Sequence, residues 1–165
     1  MFSTKLAVEK ELIVYNPIKE PTLNPNIKVE IGVANFLQLE YELYKSKFHL
    51  DDYVHGRLNF IKVNMKISLV EIHLIKKEIF GSGYNRKSEA HLLSKFEIVD
   101  GKPVNDDVVP IRMHLKGLEL TPTFKELNNV ISVKYYIKFV IFVEDGKTYF
   151  KQQEIFIWRK SISSN

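Results

Sequence analysis

One short segment has residue types that could bind a metal ion. Residues 49–55 (HLDDYVH) place two His and two Asp within seven positions, and such side chains can be metal ligands. In an extended segment, however, Asp51 and Asp52 point to opposite sides, and no second cluster in the sequence complements them. The pattern therefore favours the end of a strand with a solvated turn, and we expect no metal site.

The glycines of residues 81–83 (GSG) have the composition of a phosphate-binding loop. Such a loop leads into a helix N-terminus, whose backbone N–H groups hold the phosphate. Residues 91–99 read as a strand instead, so we expect a hairpin or surface loop. His73, His91 and His114 are isolated, and we interpret each as a surface or hydrogen-bonded histidine, not a catalytic base.

The composition removes several classes of chemistry. The 165 residues include no Cys, which excludes disulfides, thiolate catalysis and cysteine-ligated zinc or iron–sulfur clusters. The sequence contains no GxSxG, HExxH or Walker motif, so the residues alone indicate no catalytic site. Net charge is +4, and the basic residues are mostly Lys scattered along the chain. A nucleic-acid binder concentrates Arg and aromatic residues on one face, so we expect no nucleic-acid partner.

No segment has the character of a targeting or membrane-spanning sequence. Residues 1–7 (MFSTKLA) lack the long apolar core of a signal peptide. The longest apolar stretch, residues 130–143, is interrupted by Ser132, Lys134 and Lys138, and it is too short to span a bilayer. We therefore expect a soluble protein that meets membranes only through partners.

The dominant hydrophobic period is two, which predicts strands. In residues 37–43 and again in residues 131–143, apolar side chains alternate with polar ones. The apolar parity slips within residues 57–80, which predicts two strands with a bend near residues 62–66. Glycine-rich turns separate these runs, and Asp145-Gly146 is a strong hairpin signal. The sequence predicts an antiparallel β-sandwich of seven to nine strands, immunoglobulin-like in kind.

One helix is expected in this all-β chain. Thr121 or Thr123 can serve as N-cap, Thr123 with Glu126 fits a capping box, and Asn128-Asn129 can end the helix. The N-terminal region has a different character. Residues 8–15 could form a strand, and the three prolines of residues 16–26 predict a linker after it.

Two segments are unusual for a simple scaffold. Residues 111–120 (IRMHLKGLEL) mix apolar and basic side chains, and residues 149–160 are rich in aromatics. Either segment could form a protein-binding surface. The alternative for both is that they are strands whose apolar residues face the core.

A family resemblance rests on five runs that occur in order across residues 27–160. They are LQLEYELYKSKFHLDDYVHGRLNF, SKFEIVDGKPV, VPIRMHLKGLELTPTFKELN, SVKYYI and YFKQQEIFIWRK. With these runs the chain resembles the C-terminal half of the vacuolar protein sorting-associated protein 26 family, the arrestin-like subunit of retromer. The resemblance implies that residues 1–26 are the end of an N-terminal arrestin domain with its interdomain linker. It implies that residues 27–165 form the C-terminal arrestin-like β-sandwich.

The resemblance also implies a function. Family members are retromer subunits without enzymatic activity or a cofactor, and they help to carry transmembrane cargo from endosomes to the Golgi or the plasma membrane. The implied partners are the α-solenoid subunit vacuolar protein sorting-associated protein 35, a sorting nexin and the cytosolic tails of cargo. The implied location is the cytoplasm and the cytosolic face of endosomes. The alternative is an arrestin-like adaptor that acts outside retromer.

Two sites follow from the resemblance. The first is a solenoid-docking segment, in which His114 replaces an aromatic residue, Lys116 a small residue and Leu118 a Tyr of the family. The second is a site for cargo and sorting nexin, in which a cargo tail adds to a sheet edge and Phe150 matches the family's pocket phenylalanine. The implied docking residues are Ile111, Arg112, Met113, His114, Leu115, Lys116, Gly117, Leu118, Glu119 and Leu120. The implied cargo residues are Val29, Ile31, Gly32, Val33 and Phe150.

Overall fold

Two β-sheets pack face to face. The computed structural model describes residues 7–12, 14, 18, 20–127 and 130–160. One sheet has the strand order β1-β2-β4-β7, and the other has the order β3-β10-β9-β5-β6 with β8 beside β9. The strands are Ile27–Val33 (β1), Leu37–Leu43 (β2), Lys47–His49 (β3), Tyr53–Val63 (β4), Ile67–Phe80 (β5), Lys87–Asp100 (β6), Val108–His114 (β7), Phe124–Leu127 (β8), Ile131–Val143 (β9) and Thr148–Trp158 (β10).

The alternating pattern fills the space between the sheets. Leu37, Leu39, Tyr41 and Leu43 on β2 are all at most 1% exposed, and so are the core-facing residues at the centre of β9. The rings of Tyr41 and Phe139 stack across the two sheets with centroids 4.1 Å apart. Burial of this apolar surface is the main stabilising contribution to the sandwich. The predicted all-β sandwich is confirmed.

The predicted turns and parity slips are present. β4 ends at Val63 and β5 begins at Ile67, which is the expected bend. The pairing of β2 with β4 shifts register at Ile61, and the pairing of β5 with β9 shifts register between Ile67 and Leu69. Each extra residue changes the parity that faces the core, from Phe60 to Val63 on β4 and from Ile67 to Val70 on β5, as a β-bulge does. The 144–147 turn joins β9 to β10, and Gly146 adopts a positive φ of 83° there.

The predicted short helix is wrong. Residues 121–123 are irregular, and Phe124–Leu127 form β8, which pairs with β9. The Thr123 hydroxyl accepts a hydrogen bond from the Ile157 N–H, and the Thr123 N–H donates to the Ile157 carbonyl. Thr123 is therefore extended against β10, and its hydroxyl is not available as a helix cap. Asn128 and Asn129 lie outside the described residues.

The strand count also differs from the expectation of seven to nine antiparallel strands. The described part of the chain holds ten strands, because β8 replaces the helix and the short β3 pairs with β10. The pairing of β3 with β10 is parallel, whereas the other pairings are antiparallel. A three-residue strand lies below the length that a period-two pattern can indicate. No helix among the described residues is long and apolar enough to cross a bilayer.

The segment before β1 is attached to the sandwich. Residues 8–12 and 14 form no strand, so the strand expected over residues 8–15 is absent from its described part; Ile13 and Tyr15 lie outside it. Asn24 Oδ1 accepts hydrogen bonds from the backbone N–H groups of Ser46 and Lys47, at 2.9 and 2.8 Å. Asn24 Nδ2 donates to the Lys47 carbonyl at 2.7 Å. This side chain therefore holds the bend between β2 and β3.

Candidate functional site: strand edges and an aromatic patch

β1 is an edge strand of the first sheet. Among the described strands it pairs with β2 alone, so its other side offers main-chain hydrogen-bonding groups. Ile31 is buried, while Val29 and Val33 are half-buried on the same face. A Cβ added at Gly32 would meet no described atom within 4 Å, so the chain at this point borders open space.

The first half of β10 offers a second free edge. The Phe156 N–H donates to the Ser46 carbonyl, and the Trp158 carbonyl accepts from the Leu50 N–H, so the main-chain groups of these two residues point to the β3 side. The β3 pairing covers only residues 156–158 of β10. Because main-chain direction alternates along a strand, Phe150 and Gln152 point their N–H and C=O groups to the same side, where no described strand pairs with them.

The two free edges lie on the same side of the sandwich. Val29 is opposite Tyr41 in one sheet, and Lys151 is opposite Phe139 in the other. Because the Tyr41 and Phe139 rings stack, Val29 and Lys151 lie at the same level. On the other side of the molecule the edge strands β6 and β7 lie next to one another.

The side chain of Phe150 does not face β1. Phe150 pairs with Val140 and not with a core-facing residue of β9, so it lies on the outer face of the second sheet. Its ring is 61% exposed, and the Lys138 ammonium lies 4.2 Å from the ring centroid. Tyr149 and Lys151 have the inward parity, so they are the β10 residues directed to the β1 side. Both lie in the aromatic-rich segment 149–160 noted in the sequence, but the cargo residues that the resemblance implies did not include them.

Residues 111–120 run from an edge strand into a turn. Ile111, Met113 and Leu115 are at most 2% exposed, and Arg112, His114 and Lys116 are exposed, as alternation predicts. Gly117 turns the chain with a φ of +89°. Glu119 is exposed.

Leu118 and Leu120, which the resemblance includes among the docking residues, are directed toward the sandwich. Leu118 packs against the core and Leu120 is only 9% exposed. The Leu118 N–H donates to the Leu115 carbonyl, and the Leu120 N–H donates to the Leu118 carbonyl. These bonds fold the turn back on the sandwich and direct both leucines inward.

Exposed aromatic and basic side chains surround Arg112. The Arg112 guanidinium lies 4.8 Å from the centroid of the Tyr53 ring, a cation–π distance. The Tyr53 ring contacts the rings of His55 and His114 at centroid distances of 5.0 and 6.0 Å. We call this set the aromatic patch: Tyr44, Tyr53, His55, Arg112 and His114. Its signals in the sequence were the histidines of residues 49–55 and the mixed apolar and basic segment 111–120.

Within the 49–55 segment, His49 and Asp52 have structural contacts that account for their presence. Asp52 forms an ion pair with Lys45 at 3.0 Å, and the His49 ring packs edge-on against Trp158. Among the described residues, no group of three or more His, Asp or Glu is arranged to hold a metal ion.

One carboxylate is buried on the outer face of the second sheet. Glu71 is 4% exposed, and its two oxygens contact His73 Nε2 at 2.7 Å and Lys95 Nζ at 2.9 Å. Burial alone would raise the pKa of Glu71, but the hydrogen bonds from His73 and Lys95 outweigh it and hold the pKa below its usual range. Glu71 stands opposite Val140, which stands opposite Phe150, so the cluster lies in the same row as Phe150.

Comparisons with known proteins identify relatives over most of the chain. The model of the family described as vacuolar protein sorting-associated protein 26 matches residues 2–146. The protein of that name from Plasmodium falciparum is 44% identical over 161 residues, which cover 98% of this chain and 54% of that protein. The Dictyostelium discoideum protein is 43% identical over 162 residues, covering 98% of this chain and 46% of its own length. Human vacuolar protein sorting-associated protein 26B is 43% identical over 152 residues, covering 92% of this chain and 45% of its own length.

A solved structure supports the fold alone. The crystal structure of Spo0M, a sporulation control protein from Bacillus subtilis, matches with a TM-score of 0.58 at 13% identity, covering 73% of this chain and 48% of that one. The two-sheet sandwich agrees with the arrestin-like fold expected of the sequence relatives. The chain spans about half the length of the curated relatives it matches. From the family model and these identities, the chain belongs to the vacuolar protein sorting-associated protein 26 family.

Proposed function

We propose that this chain is the C-terminal, non-enzymatic module of a retromer subunit that helps to sort transmembrane cargo from endosomes. It acts at the cytosolic face of the endosome membrane, where it is recruited through partner proteins. Family membership supports the sorting role. The observation that carries the binding role is the side of the sandwich on which β1 and β10 both have free edges.

A free edge suits an extended cargo tail. Such a tail can add to a sheet through main-chain hydrogen bonds, while a pocket selects its side chains. β1 and the first half of β10 offer those bonds at one level of the molecule, and Phe150 adds an exposed aromatic ring beside them. Because Phe150 faces outward, we propose that the pocket is completed by the sorting nexin.

The cargo role is tested with Phe150→Ala. Binding of a peptide with an aromatic-x-Leu motif is measured by calorimetry in the presence of the sorting nexin. We expect at least a tenfold weaker affinity with an unchanged melting temperature, because the Phe150 ring is mostly exposed. Phe96→Ala is the matched control, since Phe96 is 44% exposed and lies on β6 at the other side of the sandwich. Equal affinity of both variants would refute the site.

For the solenoid subunit, vacuolar protein sorting-associated protein 35, we propose docking on the aromatic patch and the exposed residues of 111–120. Arg and Tyr are the residue types that most often dominate interface energies. The geometry makes Arg112, Tyr53 and His114 the leading candidates, since Leu118 is packed inward.

The docking test compares two ends of the sandwich. We expect Arg112→Ala with Tyr53→Ala to weaken binding to the N-terminal fragment of the solenoid by about 100-fold, with an unchanged melting temperature. Val104→Asp is the comparison variant, because Val104 is 62% exposed in the turn between β6 and β7. If only Val104→Asp weakens binding, docking occurs at that turn and the patch assignment is wrong. If wild-type chain does not bind the solenoid, an arrestin-like adaptor outside retromer becomes the better proposal.

A further inference from the structure

The tip of the β5–β6 hairpin extends beyond the first sheet. Inward-facing residues of β5 change from Ile72 and Leu74, at most 1% exposed, to Lys76 and Glu78, which pair with each other. On β5, apolar side chains therefore give way to charged ones, while Tyr135 and Val133 opposite them on β9 remain buried. We define the β5–β6 tip as residues 80–87 with Val130 and Ile131 beside them. Neither proposed binding site uses it.

The tip exposes several apolar side chains. Tyr84 is fully exposed, and Phe80, Val130 and Ile131 are 38%, 46% and 40% exposed. Phe80 is the cross-strand neighbour of Ile131, so their side chains lie on the same face. Phe80, Ile131 and its chain neighbour Val130 form an exposed apolar cluster, and Tyr84 stands in the turn at the end of the same hairpin.

The backbone of the tip is held in a defined shape. The Gly81 N–H donates to the Val130 carbonyl at 2.8 Å, which joins the hairpin to the start of β9. Residues 83–85 form a 3-10 turn. Gly81 has a φ of +83°, and a Cβ there would come within 2.5 Å of the Asn85 carbonyl oxygen, so the turn requires glycine. Tyr84 is therefore presented by an ordered turn.

The charge of the tip has one sign. Arg86 and Lys87 follow Tyr84 directly, and no acidic residue occurs from position 79 to position 88. Neither cation forms an ion pair with a described residue, whereas Lys76 further down β5 is paired with Glu78. Lys87 is also the cross-strand neighbour of Phe80, which places a positive charge beside the apolar cluster.

We propose that the β5–β6 tip contacts an anionic lipid surface directly. Tyr and Phe side chains at the level of the headgroups, with unpaired cations beside them, are the features of an interfacial membrane contact. A protruding turn whose charge has one sign suits a flat anionic surface. This contact goes beyond the proposed sorting function and adds to recruitment through partners.

The expected strength is modest. Each cation near an anionic bilayer contributes about a fivefold gain in partitioning, so two cations give roughly 25-fold. A contact of this size cannot anchor the chain stably, but it orients a protein that partners have already brought to the membrane.

The first test uses a reporter at the tip. Tyr84→Trp is mixed with vesicles of phosphatidylcholine alone and with about 30% phosphatidylserine, the anionic lipid of the cytosolic leaflet. We expect a blue shift of the new tryptophan's emission with the anionic vesicles only. Phe36→Trp is the control, because Phe36 is 55% exposed and lies in the β1–β2 turn at the opposite end of the sandwich. Trp158 is buried and also fluoresces, so the emission spectrum of the unsubstituted chain is subtracted as background.

The second test distinguishes binding through the tip from a general effect of the chain's net positive charge. In sedimentation with the same anionic vesicles, Arg86→Ser with Lys87→Ser should reduce partitioning by roughly 25-fold. Lys66→Ser with Lys102→Ser makes the same change in charge at exposed sites in the β4–β5 and β6–β7 turns, away from the tip, and it should change partitioning by less than about threefold. Equal losses in both pairs, or equal shifts of the two reporters, would overturn the proposal. So would an equal shift of the Tyr84→Trp reporter with soluble polyglutamate, which would indicate an acidic protein partner.

Discussion

β5 and β9 each pass through two regions that differ in what faces them. Where the first sheet opposes them, their inward side chains are apolar, and Ile72, Leu74, Ile137 and Phe139 are at most 1% exposed. Beyond that sheet the same face of β5 carries the Lys76–Glu78 ion pair. The change coincides with the register shift between Leu74 and Ile75. β5 thus stays paired in its sheet beyond the point where the first sheet ends. We call the part of β5 opposite the first sheet the faced region and the part beyond it the overhang.

The comparison implies unequal contributions to stability. In the faced region, stability comes from apolar burial, which is lost when a side chain is shortened. In the overhang, the β5 side chains Lys76 and Glu78 are partly solvated, whereas Tyr135 and Val133 opposite them on β9 stay buried. Substitutions of the solvated β5 residues should therefore cost several-fold less stability than substitutions of buried residues between the sheets.

The largest effect is expected for Phe139→Ala. Phe139 is 0% exposed and stacks on Tyr41, so truncation leaves a cavity between the sheets. We expect a loss of about 3–5 kcal/mol in the free energy of unfolding, measured by urea denaturation. A loss below about 1 kcal/mol would mean that the sheets close over the gap, and the contrast between the regions would fail.

Glu71→Ala tests a polar group within the faced region. The change removes a buried carboxylate that is hydrogen-bonded to His73 and Lys95, and we expect a loss of about 2 kcal/mol near pH 7. Because the pKa of Glu71 is lowered in the folded state, its contribution is present above the unfolded-state pKa of about 4.3 and is lost as pH falls through the lower folded-state pKa. The difference between wild type and variant should shrink in thermal melts below about pH 4. A difference independent of pH would argue for packing instead.

Tyr41→Phe should raise stability by about 1 kcal/mol. The Tyr41 hydroxyl is buried and has no hydrogen-bond partner among the described residues. Burial also raises the pKa of this phenol. Removing the hydroxyl relieves the desolvation cost while the ring keeps its stacking on Phe139. The measurement is the urea midpoint at constant m-value; a lower midpoint would show that the hydroxyl has a partner, such as a buried water.

The smallest effect is expected for Glu78→Ala in the overhang. Its partner Lys76 remains partly solvated, with 16% of its side chain exposed, so we expect a change within about 0.5 kcal/mol. The same urea series measures it. A loss near that of Phe139→Ala would show that the overhang is as tightly coupled to the core as the faced region.

The sequence predicted what is local or periodic. The alternation of apolar and polar residues along residues 131–143 was sufficient to predict β9. The Asp145-Gly146 pair was sufficient to predict the hairpin that follows. The parity slips in residues 57–80 correctly indicated the break between β4 and β5. These features succeed because side-chain period and turn chemistry are set by neighbouring residues.

Other features could not be predicted because distant contacts decide them. Thr123 and Glu126 satisfy a capping box, yet two hydrogen bonds to Ile157 hold Thr123 extended. The aromatic patch joins Tyr53 to Arg112 across paired strands far apart in the sequence. The outward direction of Phe150 depends on which β9 residue it pairs with. A local sequence pattern does not show which residue of another strand will be the pairing partner. Hydrogen bonds between distant residues also override a weak helix preference.

The Asn24 contact has a mechanical consequence. Its hydrogen bonds to the backbone of Ser46 and Lys47 fix the chain just before β1 to the bend between β2 and β3. The Ile18 N–H also donates to the Arg159 carbonyl at 2.8 Å, so tension applied ahead of residue 18 loads this bond and the bend before it can peel β1 from the sheet. The attachment therefore protects the β1 edge from distortion when the preceding segment is pulled or turned.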